Sequence, residues 1–327
     1  MAQKRIPVAV VQYAPVFLNI DKCVEKACGL IEEAAGKGAR IIVFPETWLP
    51  GYPVWIDSSP EAALWGHKPT HAIYRILSEN SLVIPGPHVE RLLKTAGTMK
   101  AYVIIGAHEQ CGDSLYNTQL FLGNDGSSYY VHRKLTPTFT ERLVWGQGDG
   151  STLTTIDTEY GRIGGLICWE HWLPLARAAM HSMHEIVHVA QWPGVGEMHQ
   201  IASRHYAFEG QCFVLAAGTV LRKSDVLKGF DSLPSPALEA RTLLEQIPGN
   251  DNQLLQRGGS SIIAPNGSYV VEPVYESETI LYAELDPDKV IEGKMHLDID
   301  GHYSRPDVFH LTVNTTPLRN VEFCKKD

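Results

Sequence analysis

The chain has 327 residues, 44% of them apolar and 20% charged, with a formal charge of −9. Such a composition buries a sizeable core and excludes a disordered chain. The acidic balance, with no basic cluster beyond His132-Arg133-Lys134, argues against nucleic acid as a partner.

No stretch approaches the ~20 apolar residues that span a bilayer. The opening MAQKRIPVAVVQYAP lacks the apolar segment and cleavage site of a secretion signal, so a cytoplasmic location and no membrane partner are expected. Cys23, Cys28, Cys111, Cys168, Cys212 and Cys324 form no C-x-x-C pair and read as reduced thiols.

Residues 6–12 (IPVAVVQ) read as a buried strand. Residues 20–37 have helical spacing, with Cys23, Ala27, Leu30, Ile31 and Ala34 on one face and Gly36 and Gly38 at the end. Residues 40–44 (RIIVF) are a second strand running into Pro45-Glu46. Residues 53–70, rich in proline and aromatics, look like an insertion. A helix at 87–100 precedes a strand at 102–107. Residues 116–122 and 128–133 flank a Gly-Asn-Asp-Gly turn as a hairpin.

Residues 161–168 (GRIGGLIC) are a strand ending at Cys168, followed by a helical stretch to about 183. A strand at 186–191, a helix at 197–209 and a strand at 212–216 come next. Residues 222–257 look like a second insertion. A hairpin at 259–264 and 268–273 turns on Asn266-Gly267, and 279–285 is a late strand. Interleaved helices and strands with hairpins make this an α/β chain, a mixed sheet with helices on its faces. No fixed-period repeat is present, and one domain over 1–327 is expected.

Three reactive side chains follow strands: Glu46 after IIVFP, Lys134 after YYVHR and Cys168 after GRIGGLI. Ligands bind beyond the carboxyl ends of strands in open α/β sheets, so these three are candidates for one site. A cysteine where strand turns into helix meets a dipole and free N–H groups that stabilise a thiolate. The same N–H groups stabilise an oxyanion. Burial would raise the pKa of Glu46 and suit it to act as a base. Lys134 could hold developing negative charge, oriented by Glu141 seven residues on. Singly, each has an ordinary reading: a buried thiol, a surface cap, a solvated cation, a surface ion pair.

Together the segments FPETWLPGYP (44–53), HRKLTPTFTER (132–142) and GRIGGLICWEHWLPLAR (161–177) resemble the signatures of the nitrilase superfamily, in the expected order. The resemblance extends through VWGQGDG (144–150), HVAQWPG (188–194), ASRHYAFEGQCFVLAAG (202–218) and GHYSRPDVF (301–309). It implies Glu46 as general base, Lys134 as stabilising lysine, Cys168 as nucleophile and Glu141 as the second glutamate. It implies a four-layer α-β-β-α sandwich and a homo-oligomer, dimer or larger, sometimes a spiral. It implies no cofactor and no metal.

The tetrapeptide Cys168-Trp169-Glu170-His171 looks like the nitrilase branch, which turns an organic nitrile into acid and ammonia through a cysteine thioimidate and thioester. The backbone N–H of Trp169 would then hold the negative nitrogen. Amidases, carbamoylases and cyanide-converting enzymes with the same triad are the alternatives. Tyr52, Trp145, Trp169 and Trp192 are candidates to line the substrate pocket. His171 joins them, with a supporting or helix-start role as its alternatives. The chain stops soon after GHYSRPDVFHLTVN, so a short C-terminal oligomerisation tail is expected.

One motif points elsewhere. His184-Glu185-Ile186-Val187-His188 matches the zinc-protease pattern H-E-x-x-H. Zinc binding there needs a helix, whereas Ile186 to Ala190 favours a strand, in which positions four apart lie roughly 13 Å apart. A zinc metallohydrolase is therefore a distant alternative.

Overall fold

The structure, a computed structural model, describes residues 4–319 and 321. Cys324 lies outside them. The chain begins β1 (Ile6–Gln12), α1 (Ile20–Gly36), β2 (Ile41–Val43), α2 (Trp55–Ser58), α3 (Lys68–Glu79), β3 (Leu82–Val83) and α4 (Pro87–Met99). Then come β4 (Tyr102–Cys111), β5 (Ser114–Leu122), β6 (Tyr129–Arg133), β7 (Thr155–Thr158) and β8 (Gly161–Ile167). After α5 (Pro174–His181) follow β9 (Val187–Gln191), α6 (Glu197–Gly210), β10 (Phe213–Ala217) and β11 (Val220–Arg222). The last elements are α7 (Lys223–Asp231), α8 (Leu238–Glu245), β12 (Leu254–Ile263), β13 (Tyr269–Tyr275), β14 (Thr279–Leu285) and α9 (Asp288–Lys294).

Two seven-stranded sheets result. One runs β14-β1-β2-β4-β5-β6 with β3 beside β4, and the other runs β11-β12-β10-β9-β8-β7 with β13 beside β12. Strand alternation explains how they stack. Ile6, Val8 and Val10 of β1 join a core shared with Ile163, Val187, Val189, Phe213 and Leu215 of the second sheet. Ala9 and Val11 face the other way, into a core with α1 and α4. The outer face of the second sheet packs Leu166, Ala190, Val214 and Ala216 against Ala202, Tyr206 and Ala207 of α6. Strands buried on both faces read as near-continuous apolar runs, as these do. The layers are thus helix, sheet, sheet, helix, the four-layer sandwich that the resemblance implies.

Local chemistry sets the helix positions. Asn19 caps α1 by accepting a 3.2 Å hydrogen bond from the Lys22 N–H, a contact that contributes about 1 kcal/mol. The apolar stripe of α1 is buried as its spacing predicts.

The two segments read as insertions are more ordered than that reading supplies. Helices α2, α7 and α8 lie in them and α3 begins at the end of the first, and they pack on each other. Trp55, Ile56 and Ile73 share a core with Val226, Phe230, Leu243 and Leu244. The buried ammonium of Lys223 donates to the carbonyl oxygens of Glu245, Ile247 and Gly249 at 2.8, 2.5 and 3.2 Å, tying α7 to the end of α8. Beyond α9, residues 301–319 are exposed and run without helix or strand. They cross the surface near Asp149, whose carboxylate accepts from the Leu318 N–H at 2.8 Å.

Candidate functional site

Glu46 and Lys134 leave the first sheet, after β2 and β6, and Cys168 leaves the second, after β8. The sheets are tied together at this end. The Gln191 carboxamide donates to the Phe44 carbonyl at 2.8 Å, and the Glu46 N–H donates to the Trp192 carbonyl at 3.4 Å. The Glu46 loop lies directly on Gly106 of β4. A Cβ there would collide with Pro45 O and Thr47 N, so glycine is required for this approach.

The structure brings the four expected side chains into contact. The Lys134 ammonium donates to Glu46 Oε1 at 3.0 Å and to Glu141 Oε2 at 2.7 Å. Asn117 Nδ2 donates to the same Glu46 oxygen at 2.6 Å. Glu141 also accepts from the Thr138 N–H at 2.7 Å and from the Tyr52 hydroxyl at 3.1 Å. The Cys168 sulfur and carboxylate oxygens of Glu46 and Glu141 lie within 4.8 Å of one another. Glu46 Oε2 has no hydrogen-bond partner among the described residues. An ammonium has three donors, and these contacts use two. All four groups are buried, so the surface readings of Glu46, Lys134 and Glu141 fall away.

Burial sets the charges. It pushes the Glu46 carboxyl up to about 7, a rise that Lys134 opposes and Glu141 reinforces. Burial alone would lower Lys134, but Glu46, Cys168 and Glu141 outweigh it and hold the ammonium well above its usual range. Burial, aided by Glu46, pushes the Cys168 thiol well up, against Lys134 and a hydrogen bond from the Trp169 N–H. The expected dipole-stabilised thiolate is therefore not the resting form. Cys168 opens a short 3₁₀ turn, Cys168–Trp172, and α5 starts only at Pro174, so no long helix points its N-terminus at the sulfur. The thiol must lose its proton to a neighbouring base as it reacts.

The Cys168 sulfur and one oxygen each of Glu46 and Glu141 lie as close together as metal ligands do. Lys134 already bonds both carboxylates, so a second cation would meet the repulsion of its ammonium.

The turn that presents Cys168 is strained, with φ at +54°, a conformation that persists only where the surroundings over-determine it. Glu170 supplies part of that hold. Its carboxylate accepts from the Ile167 N–H at 2.7 Å, from the Leu135 N–H at 2.8 Å and from His132 Nε2 at 2.9 Å. One side chain thus clamps the residue before Cys168 and the residue after Lys134. Burial would raise the Glu170 carboxyl, but His132 and these amides hold it below its usual range.

His171 supplies the rest. Its Nδ1–H donates to the Cys168 carbonyl at 2.7 Å, so its Nε2 accepts from His188 Nε2–H at 3.0 Å. His188 Nδ1 faces Glu185 at 2.9 Å, and Glu185 accepts from the Tyr206 hydroxyl. Burial lowers His171 to about 3 and raises Glu185 to about 7, which favours a chain of neutral groups behind the nucleophile. Sequence reasoning missed Asn117, His132 and the roles of Glu170, Glu185, His188 and Tyr206. For Glu170 a signal existed, an acid inside a motif otherwise aromatic; for Asn117 none did.

Cys168 and Glu141 line a cavity of about 690 Å³, with Tyr52 and Trp169. The other expected lining residues sit behind its wall. Trp145 is buried against Tyr52 and donates its indole N–H to His108 at 2.9 Å. Trp192 is fully buried and stacks on His171, with ring centroids 4.7 Å apart. Their aromatic surface serves the core, and His171 meets the Cys168 backbone rather than the cavity.

The zinc alternative also fails. His184 is exposed on a turn after α5, whereas His188 is buried in β9 and bonded to His171 and Glu185. Strand geometry separates what a helix would have brought to one face.

Comparison with known proteins agrees with this layout. The model of the carbon-nitrogen hydrolase family matches residues 7–295. An aliphatic nitrilase of Rhodococcus rhodochrous is 40% identical, over 96% of this chain and 85% of that protein. A nitrilase of Pseudomonas syringae pv. syringae (strain B728a) is 39% identical, over 95% of this chain and 90% of that protein. The crystal structure of Saccharomyces cerevisiae Nit3, a member of branch 10 of the nitrilase superfamily, superposes with a TM-score of 0.65 at 20% identity, covering 92% of this chain and 97% of that one. With one family model spanning most of its length and relatives near two-fifths identity, the chain belongs to the carbon-nitrogen hydrolase family.

Proposed function

We propose that the protein is a nitrilase, hydrolysing an organic nitrile to the carboxylic acid and ammonia. The observation that carries this is the unpartnered Glu46 Oε2 in the same buried cluster as the Cys168 thiol, with Lys134 beside both. Glu46 takes the thiol proton as the sulfur bonds to the nitrile carbon. The charge building on nitrogen is held by the third N–H of Lys134 and the Trp169 N–H. Protonation by Glu46 gives a neutral thioimidate. Water adds with Glu46 as base, the carbon–nitrogen bond breaks and ammonia leaves. A second water cleaves the thioester, releasing the acid and restoring the thiol.

The closeness to two nitrilases favours nitriles over amides as the substrate class. The test is ammonia release by the purified protein across matched nitriles and amides. Nitriles turning over to acids is the expected result; amides turning over while nitriles do not would place it with the amidases.

The pH profile follows from the raised Glu46 carboxyl. Only its ionised form is a base, so kcat/KM for a nitrile should fall about tenfold per pH unit below about 7 and level off above it. Steady-state kinetics across the neutral range checks this. A profile that levels off near pH 4 would mean an ordinary, unburied carboxylate is acting.

The proposal extends to a single catalytic domain over the whole chain, supported by the shared core between the sheets. It also includes a homo-oligomer. Leu173, Leu175, Met198, Ile201 and Phe208, on or beside α5 and α6, are exposed apolar side chains that a second copy would cover. Among the described residues no helix is long and apolar enough to cross a membrane. The free thiols of Cys23, Cys28, Cys111, Cys168 and Cys212 suit a reducing compartment, which supports the cytoplasm.

A further inference from the structure

Gln256 lies in β12, opposite Leu221 of β11, and lines the cavity that Cys168 opens into. It is only 7% exposed, yet neither its Nε2 nor its Oε1 has a hydrogen-bond partner among the described residues. No other buried side-chain amide there lacks partners at both ends. Nearby glutamines show the usual state. The Gln12 carboxamide donates to the Val274 and Ser277 carbonyls, each at 2.9 Å, and accepts from the Ser260 N–H at 2.8 Å. Gln200 donates to the Gly259 carbonyl at 2.6 Å and accepts from the Ser261 hydroxyl at 2.9 Å. Buried polar groups are held in native proteins by hydrogen bonds, and one left free at a cavity wall calls for an explanation.

The charged side chains around the same cavity already have hydrogen-bond partners. Arg257 bonds Glu276, Asp57 accepts from the Thr140 hydroxyl, and Glu141 bonds Lys134. His199, also in the wall, accepts from the Gly196 N–H at 3.0 Å through Nδ1, so its proton sits on Nε2 as a neutral donor. A wall with free neutral groups and satisfied charged ones recognises a neutral polar group.

We propose that Gln256 is a specificity-determining residue, and that the substrate is a nitrile carrying a neutral hydroxyl or carboxamide on its skeleton, away from the cyano carbon. Such a group both donates and accepts, as the free carboxamide of Gln256 does. This rests on the nitrilase reading of the site. A site built to hydrogen-bond a substrate group rejects the analogue lacking it far more strongly than an apolar pocket rejects a size change, because its own polar atoms are left unpaired.

The test compares an aliphatic nitrile bearing a hydroxyl or carboxamide with its methyl-bearing isostere, in the wild-type protein and in Gln256→Leu and Gln256→Met. Wild type should favour the polar nitrile by at least about tenfold in kcat/KM. In both variants the preference should collapse, mainly through KM. The thermal midpoint reports whether each variant is folded. Equal loss on both nitriles in a folded variant, or no preference in wild type, overturns the proposal while leaving the nitrilase reading in place. If neither variant folds, the wild-type preference alone decides. Release of ammonia from no nitrile by wild type overturns the underlying reading and this proposal with it.

Discussion

Cys168→Ala is expected to lower nitrile turnover by at least about 10⁴-fold while leaving the protein folded, because removing a nucleophile that forms a covalent intermediate leaves only binding and charge stabilisation. The fold should survive for local reasons. The hold on the strained turn comes from backbone groups and neighbouring side chains: Glu170 grips the Ile167 N–H, and His171 grips the Cys168 carbonyl. None of these contacts uses the sulfur. Alanine adopts the positive φ at much the same cost as cysteine, since both carry a Cβ. The lost sulfur leaves a space that opens onto the cavity, so the penalty of an enclosed void is small. Ammonia release and the thermal midpoint are the two measurements. A folded variant that keeps more than a small fraction of wild-type turnover would remove Cys168 from the chemistry.

The sequence displays the placement of these groups better than their environment. Strand ends were readable because Ile41–Val43, Tyr129–Arg133 and Gly161–Ile167 are short apolar or β-branched runs, and reactive side chains stand just beyond them. What surrounds those side chains was not readable. Trp145 and Trp192 stand close to the motifs along the chain, yet sit behind the cavity wall. Proximity along a chain does not say which face a side chain occupies once a strand has turned. Gln256 carried no signal at all, because a polar residue in a strand looks the same whether it faces water, a partner or a substrate. The helices α3, α7 and α8 escaped for another reason. Their polar residues and nearby prolines resemble loop composition, and their apolar stripes gain meaning only by packing on one another. The thiolate expected at Cys168 is absent because burial, with Glu46 beside it, holds the proton on the sulfur, and the helical stretch opens as a single 3₁₀ turn instead of a long helix that would oppose this.

The same environment makes Lys134 the most consequential position after Cys168. Lys134→Met keeps the length and removes the charge. Two buried carboxylates, Glu46 and Glu141, then face each other without the ammonium that bonds both. Removing one partner from a buried ion cluster typically costs about 3–5 kcal/mol, since the remaining charge has lost its solvent and its counter-ion. Lys134 is also the main group lowering Glu46, so the variant's Glu46 should be protonated further into the alkaline range. The sign follows for stability. A carboxyl whose folded pKa is raised costs stability above its unfolded value, so the penalty grows as pH rises and shrinks in acid. Adding Glu141→Gln removes one of the opposed charges, and the double variant should regain much of the lost stability near neutral pH. It should not regain turnover, because the donor that holds charge on the substrate nitrogen is still missing. Denaturant melts at acid and neutral pH, with turnover measured beside them, separate the two roles. If Lys134→Met is as stable as wild type at neutral pH, the ammonium is not what reconciles the two carboxylates. If the double variant recovers activity along with stability, the lysine serves the fold alone.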